Sequence, residues 1–77
     1  MDKAEAIVAA LGGARNIIEI APCLTRLRSE VTDPSLVDEP ALMAAGAFGV
    51  LTVGAAVQIV VGLEAEPLSS EIQDLLQ

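Results

Sequence analysis

The sequence predicts an α+β fold in the order α-β-β-α-β-β-α, with one four-stranded, mainly antiparallel sheet and helices packed on one face. Two pairs of short segments rich in β-branched residues are each joined by a tight connection, which is typical of hairpins. Three segments with apolar residues at helical spacing flank and separate those pairs. Hairpins with helices gathered on one side form a two-layer sandwich. The 77 residues suffice for one core, so we expect a single domain over residues 1–77.

The first helix is marked at both of its ends. Asp2 and Glu5 have the spacing of a capping box, in which each side chain bonds the other residue's backbone N–H. Gly12-Gly13 ends the helix, because glycine readily adopts the left-handed conformation found after a helix. The apolar stripe between these ends comprises Ala4, Ile7, Val8 and Leu11.

The first hairpin is predicted around the only cysteine of the chain. Residues 16–20 indicate a strand running toward Pro22-Cys23, and residues 25–32 indicate its partner strand. A tight connection between them places the thiol at the hairpin tip. Alternation divides the second strand into Arg26, Arg28 and Glu30 on one face and Leu27 and Val31 on the other.

The second half begins where Asp33-Pro34 ends that strand, since proline cannot donate a ladder hydrogen bond. Asp38 is a suitable N-cap for a short helix that Gly46 stops. Residues 50–53 and 57–61 predict two apolar strands joined by a turn. We expect the last helix to begin near Pro67 or at a Ser69-Ser70 cap and to end at Leu76, with Leu68, Ile72, Leu75 and Leu76 on its apolar side.

An alternative interpretation concerns residues 41–63, which contain no charged side chain. An uncharged apolar run of this length is a candidate transmembrane helix, and all the basic residues precede it. Four glycines and Gln58 interrupt the run, and its β-branched residues favour two buried strands. A small membrane-associated subunit or a non-catalytic interaction domain therefore stays open as an alternative.

Composition excludes several classes of function. The net charge is −7 with only four basic residues, which argues against a nucleic-acid binder. One cysteine and no histidine offer neither an internal disulfide nor a zinc site, so we expect no metal and no cofactor. The acidic, polar start does not resemble a signal peptide, and we expect a cytoplasmic monomer.

The segment Cys23-Leu24-Thr25-Arg26-Leu27-Arg28 carries the chemistry. The thiolate is the nucleophilic form of cysteine, and nearby guanidinium groups stabilise it by opposite charge. Guanidinium groups also match the geometry of phosphate oxygens. A nucleophile beside an anion clamp indicates a phosphoryl carrier. A buried cysteine and solvated edge-strand arginines are the plain structural alternatives, and a thiol redox module would lack a second cysteine.

Residues 16–28 resemble the phosphorylation-site signature of the enzyme IIB domain of the sugar phosphotransferase system, glucose–glucoside type. This resemblance spans nearly the whole chain. Beyond residue 28 it continues through Asp33, Val37-Asp38, Leu42, Gly46-Ala47-Phe48-Gly49-Val50, Gly54, Val57-Gln58 and Gly62.

The resemblance implies a specific relay. A IIB domain takes a phosphoryl group from a phosphohistidine of enzyme IIA and holds it as phosphocysteine. It then passes the group to a sugar, of glucose or N-acetylglucosamine type, bound in the membrane enzyme IIC. By this resemblance Cys23 is the nucleophile, and Arg26 and Arg28 are needed mainly for the onward step. Leu24 and Thr25 are expected to bind the phosphoryl oxygens.

Two departures from the family pattern precede the cysteine. The family commonly has an aspartate where this chain has Ala21, and a small or polar residue where it has Pro22. Loss of a carboxylate beside the thiol favours the anionic forms of the site. Pro22 fixes its own φ and stiffens the entry to the hairpin tip.

Overall fold

The computed structural model describes residues 1–77 and contains one four-stranded antiparallel sheet with helices against one face. The strands are β1 (Ile17–Cys23), β2 (Arg26–Val31), β3 (Gly49–Val53) and β4 (Ala56–Val60). The helices are α1 (Lys3–Ala10), α2 (Glu39–Ala44) and α3 (Ala65–Leu75). Short 3₁₀ turns occupy Ala14–Asn16, Pro34–Leu36 and Gly62–Glu64. The α+β class and the predicted element order are confirmed.

The sheet has the strand order β1-β2-β4-β3, so the two hairpins lie side by side with β2 and β4 in the centre. In the β1–β2 hairpin Cys23 pairs with Arg26, and Arg26 pairs in turn with Val60 of β4. The turn of the β3–β4 hairpin follows Val53 and therefore lies at the opposite end of the sheet. The two hairpin turns thus define two ends of one surface.

The two faces of the sheet differ as alternation predicts. Leu27 and Val31 of β2 are fully buried against the helices, together with Val57 and Ile59 of β4. Helix α3 packs mainly on β1, while α1 lies between α2 and α3. The opposite face has no helix over it, and its side chains are Glu19, Ala21, Cys23, Arg26, Arg28, Glu30, Leu51, Val53, Ala56, Gln58 and Val60.

The predicted helix caps are present. The Asp2 carboxylate accepts a hydrogen bond from the Glu5 N–H at 2.8 Å, and the Glu5 carboxylate accepts one from the Asp2 N–H at 3.1 Å. The Asp38 carboxylate accepts from the Ala41 N–H at 3.0 Å and so begins α2. These bonds satisfy N–H groups that have no partner within a helix.

The predicted start of the last helix is wrong. Helix α3 begins at Ala65, so Pro67 lies inside its first turn and the Ser69-Ser70 pair is no cap. Proline is tolerated there because the first-turn N–H groups have no helical acceptor. Ser69 is instead buried and accepts a hydrogen bond from the Gln73 side chain at 3.0 Å.

The uncharged run over residues 41–63 does not form one long helix. It divides into the end of α2, both strands of the second hairpin and the start of a 3₁₀ turn. No helix of the chain combines the length and apolar character needed to cross a bilayer.

Asn16 closes the base of the first hairpin, although the sequence places it in the strand. Its buried side-chain nitrogen donates to the Leu11 carbonyl at 2.7 Å and to the Asp33 carbonyl at 3.0 Å. Its side-chain oxygen accepts from the Asp33 N–H at 2.8 Å. The end of α1 and both ends of the hairpin are therefore joined through one amide.

Candidate functional site

Cys23 ends β1 on the open face of the sheet, and its side chain is exposed. Exposure removes the plain alternative of a buried structural cysteine. The next residue with a side chain on the same face is its register partner Arg26, the first residue of β2. A nucleophilic sulfur at this position is accessible to a protein partner.

The turn after the cysteine contains the only non-glycine residue with a positive φ. Leu24 has φ 58°, a left-handed conformation that costs an L-residue about 1–2 kcal/mol. Neither the Leu24 N–H nor the Thr25 N–H donates a hydrogen bond within the chain. Two backbone donors are therefore available to an anion next to the thiol.

The turn is fixed from below by the end of the neighbouring hairpin. The Thr25 carbonyl accepts hydrogen bonds from the Val61 N–H at 3.0 Å and from the Gly62 N–H at 2.9 Å. Gly62 has φ 72°, which its lack of a side chain permits. The backbone around the thiol is thus held by residues distant in sequence.

The two arginines differ in how they are held. Arg26 Nη1 donates a hydrogen bond to Gln58 Oε1 at 2.9 Å, across the β2–β4 pair. The Arg28 side chain makes no hydrogen bond or ion pair, and the one ion pair of the molecule joins Lys3 and Glu64 elsewhere. Arg26 is oriented in advance, whereas Arg28 keeps all its donors for an incoming group.

All five residues predicted from sequence line one shallow depression of about 510 Å³. Gln58 is the additional lining residue, and the sequence alone does not assign it to the site. Its signal in the sequence is a single polar residue within an apolar strand. The lining residues are Cys23, Leu24, Thr25, Arg26, Arg28 and Gln58.

The two departures from the family pattern have clear positions. Ala21 pairs with Arg28, so no carboxylate stands opposite that guanidinium. Pro22 lies in β1, an edge strand, which is where a sheet accommodates proline. Both residues are compatible with the cationic character of the site.

Three exposed apolar side chains lie at the end of the sheet that bears Cys23, and we define Leu24, Phe48 and Leu63 as the apolar rim. The three side chains are 92%, 73% and 96% exposed, respectively. A ring atom of Phe48 lies 3.3 Å from the position that a Cβ on Gly62 would take, beside the backbone that anchors the turn. Exposed apolar side chains grouped at a reactive side chain are typical of a protein-docking surface.

The arrangement suits transfer of an anionic group between proteins. It combines an exposed sulfur nucleophile, two guanidinium groups and free turn amides, which are groups of the kind that stabilise charge on phosphoryl oxygens. The site has no histidine to act as a base. No three Cys, Asp or Glu side chains converge on a point where they could hold a metal ion.

Comparison with known proteins agrees with this geometry. The family model described as phosphotransferase system, EIIB, matches residues 5–38. The N-acetylglucosamine-specific EIIB component of the PTS system from Streptomyces coelicolor is 58% identical over 74 residues, covering 96% of each chain. A crystal structure of one domain of the PTS system IIabc component from Clostridium difficile superposes with a TM-score of 0.74. It is 25% identical, and the match covers 94% of this chain and 73% of that one. The 58% identity over 96% of both sequences shows that the chain belongs to the EIIB family of the sugar phosphotransferase system.

Proposed function

We propose that this protein carries a phosphoryl group on Cys23 between enzyme IIA and a sugar bound in the membrane enzyme IIC. The observation that carries the proposal is the exposed thiol at the tip of a hairpin, on the same sheet face as two arginines. The family relationship supports the same reaction. The chain has no other cysteine and no histidine, and these are the two residue types that hold the group in the proposed relay.

In the accepting step the Cys23 thiolate attacks the phosphorus of a phosphohistidine in line with the bond to nitrogen. The S–P bond forms as the P–N bond breaks, and the imidazole of the donor keeps the electron pair. No external base is needed on this chain once the thiol is ionised. We assign the Leu24 and Thr25 N–H groups, which donate no hydrogen bond within the chain, to the equatorial oxygens.

In the delivering step a sugar hydroxyl oxygen attacks the phosphorus and the Cys23 thiolate leaves. The hydroxyl proton passes to a base outside this chain, because this chain has no histidine to accept it. Charge spreads over the phosphoryl oxygens as the S–P bond lengthens, and Arg26 and Arg28 stabilise that charge. The hydrogen bond from Arg26 to Gln58 holds one guanidinium ready for this step.

N-acetylglucosamine is the sugar we propose, because the relative at 58% identity is described as specific for it. The choice of sugar belongs to the membrane component, which contains the sugar site. We propose that the apolar rim of Leu24, Phe48 and Leu63 contacts the partners that reach the thiol. Such contacts are small and transient, as fast relay requires.

The test is the intact mass of the protein after incubation with phosphoenolpyruvate, enzyme I, the histidine-containing carrier and enzyme IIA. We expect one phosphoryl adduct, absent in the Cys23→Ser variant. The S–P bond of phosphocysteine should survive conditions that hydrolyse phosphohistidine. Treatment with iodine should cleave it. No adduct, with the same partners active on another EIIB protein, would exclude the carrier function and favour an interaction domain.

A further inference from the structure

The open face of the sheet carries two facing carboxylates at the end away from Cys23. Glu19 of β1 and Glu30 of β2 are register partners, and both are exposed. Paired residues project to the same face with Cβ atoms about 5 Å apart, where like charges repel each other. Neither carboxylate forms an ion pair, although Arg28 occupies the adjacent register pair on this face; the one ion pair of the molecule joins Lys3 and Glu64.

These carboxylates belong to a larger surface, the open-face patch, which consists of Glu19, Glu30, Leu51, Val53 and Ala56. Register places four of these residues in one row across all four strands, in the order Glu19, Glu30, Ala56 and Val53. Leu51 and Val53 are 53% and 67% exposed, so the row continues into apolar surface. The patch therefore combines a negative end with an apolar end, as protein interfaces commonly do.

The open-face patch is continuous with the phosphoryl-transfer site. A depression of about 530 Å³ extends from Glu19 and Glu30 to Cys23 and Arg28 along the same face. Glu19 and Cys23 are four residues apart on one strand, which corresponds to about 13 Å. A partner that covers the patch can reach the thiol without a change in this chain.

We propose that the open-face patch docks the membrane component that receives the phosphoryl group, through lysine or arginine side chains that pair with Glu19 and Glu30. The inference rests on the proposed function, since it identifies where the acceptor of that relay binds. Loops of membrane proteins on the cytoplasmic side are enriched in lysine and arginine. They supply the charges that the uncompensated carboxylates lack.

The charge of the whole chain gives a reason for such a device. The inner surface of a membrane is anionic and repels a protein with a net charge of −7. Glu19 and Glu30 lie on the face that bears the thiol, so they attract basic loops to that face and favour one orientation of the complex. Arg26 at the other end of the face and Arg28, one same-face register pair away from the carboxylates, carry the opposite sign, so the complex has one favoured orientation.

The test separates acceptance from delivery. The double variant Glu19→Gln/Glu30→Gln and the parent are phosphorylated through enzyme IIA, purified from the donor, and mixed with membranes that contain an N-acetylglucosamine enzyme IIC and the sugar. The rate of sugar phosphate formation is then measured at low ionic strength and at about 1 M salt, where the Debye length is about 3 Å. The matched control is Glu71→Gln/Asp74→Asn, which removes an equal number of negative charges from the exposed side of α3.

We expect delivery by the double variant to be about tenfold slower at low ionic strength and to approach the parent rate at high salt. The control variant and the acceptance from enzyme IIA should be unchanged. Thermal unfolding of the double variant should occur at the parent temperature or above, because the substitution removes a repulsion, whereas a structural role would lower it.

Each other outcome overturns the inference. Delivery at the parent rate in the double variant would mean that the carboxylates bind nothing in the acceptor. Slower acceptance would assign the patch to enzyme IIA instead. Failure of the parent to form phosphocysteine, seen before membranes are added, would instead refute the proposed function itself.

Discussion

The two hairpins of the sheet turn through a similar backbone conformation with different residues. Leu24 in the first turn and Gly54 in the second both have φ 58°. Glycine adopts this conformation without steric cost, whereas leucine is strained in it. The relaxed turn lies at the carboxylate end of the sheet and the strained turn lies beside Cys23. Local turn preferences are violated where the candidate chemistry lies, as in many functional sites.

The backbone N–H groups of both turns have no hydrogen-bond partner within the chain. Neither Gly54 nor Ala55 donates a backbone hydrogen bond, just as Leu24 and Thr25 do not. Free amides are therefore a general property of two-residue hairpin turns and do not define a site. The thiol and the two arginines distinguish the first turn from the second. Substitution of these side chains should therefore have the largest effect on phosphoryl transfer.

The largest expected effect comes from removing the cationic end of the first hairpin. In Arg26→Ala or Arg28→Ala, phosphorylation by enzyme IIA should stay largely intact, while delivery to the sugar falls about 100- to 1,000-fold. Radiolabelled phosphate on the protein and on the sugar gives both rates. Arg15→Ala, which removes an exposed arginine remote from the site, should change neither rate. If the first two variants fail to accept phosphate, the arginines act in capture and the assigned division of roles is incorrect.

The next effect concerns the side-chain hydrogen bonds that join each hairpin to a neighbouring segment. Asn16→Ala leaves the Asp33 N–H and the Leu11 carbonyl without their partners, and should lower the free energy of unfolding by about 2 kcal/mol. The second hairpin is held at its side by an exposed bond from Thr52 to Glu39, so Thr52→Ala should cost less than about 0.5 kcal/mol. Urea denaturation measures both. Equal losses would show that the two anchors do not differ.

A direct exchange of the turn residues has a smaller effect. Gly54→Leu should destabilise the protein by about 1–2 kcal/mol. Backbone strain accounts for this loss, because a Cβ at position 54 would meet no atom within 4 Å and so would cause no clash. Leu24→Gly should change stability by less than about 0.5 kcal/mol, because relief of strain is offset by the greater freedom of unfolded glycine. Phosphorylation of Cys23 should slow only in Leu24→Gly, whose turn is looser. An unaltered unfolding midpoint in Gly54→Leu would refute the strain assigned to Leu24.

The smallest effect is the pH dependence at the end of the first hairpin. Hydrogen bonds from the Ser35 hydroxyl and N–H lower the pKa of Asp33 below the ordinary aspartate value of 3.8, and desolvation opposes them. The folded state therefore binds this proton less readily than the unfolded state. The stabilisation is fully present above pH 3.8 and is lost as the pH falls through the lower folded pKa.

The variant Asp33→Asn isolates this contribution. Its melting temperature should lie below that of the parent at neutral pH, and the difference should disappear in strong acid. Melting curves recorded over a series of pH values check the result. A difference that persists unchanged at low pH would mean that the Asp33 charge contributes nothing.

Local pattern was sufficient for most of the fold and for part of the site. Alternation along residues 26–31 separates the exposed arginines from the buried Leu27 and Val31 without any knowledge of the partner strands. The capping box at Asp2 is complete within four residues. The proximity of Cys23 and the arginines also follows from one short hairpin, and short-range pairing is what a sequence displays best.

The parts that were not predicted depend on contacts between distant segments or on ambiguous signals. The bond from Arg26 to Gln58 requires that β4 lie next to β2, and nothing within either strand specifies that order. Leucine gives no indication of a positive φ at position 24. Pro67 is compatible with several positions in a first helical turn, so it could not fix where α3 begins.

The double hydrogen bond to the Thr25 carbonyl gives the protein an internal spectroscopic reporter. The resonance of an amide proton depends on the strength of the hydrogen bond it donates, and neighbouring hydrogen bonds polarise one another. The Thr25 carbonyl shares one peptide group with the Arg26 N–H, two residues along the chain from Cys23, so negative charge added at the thiol changes the electric field at this carbonyl. The Val61 and Gly62 amides donate to that carbonyl from another part of the chain. Their resonances should shift when Cys23 changes its covalent state, and so follow the loading of the protein without a label.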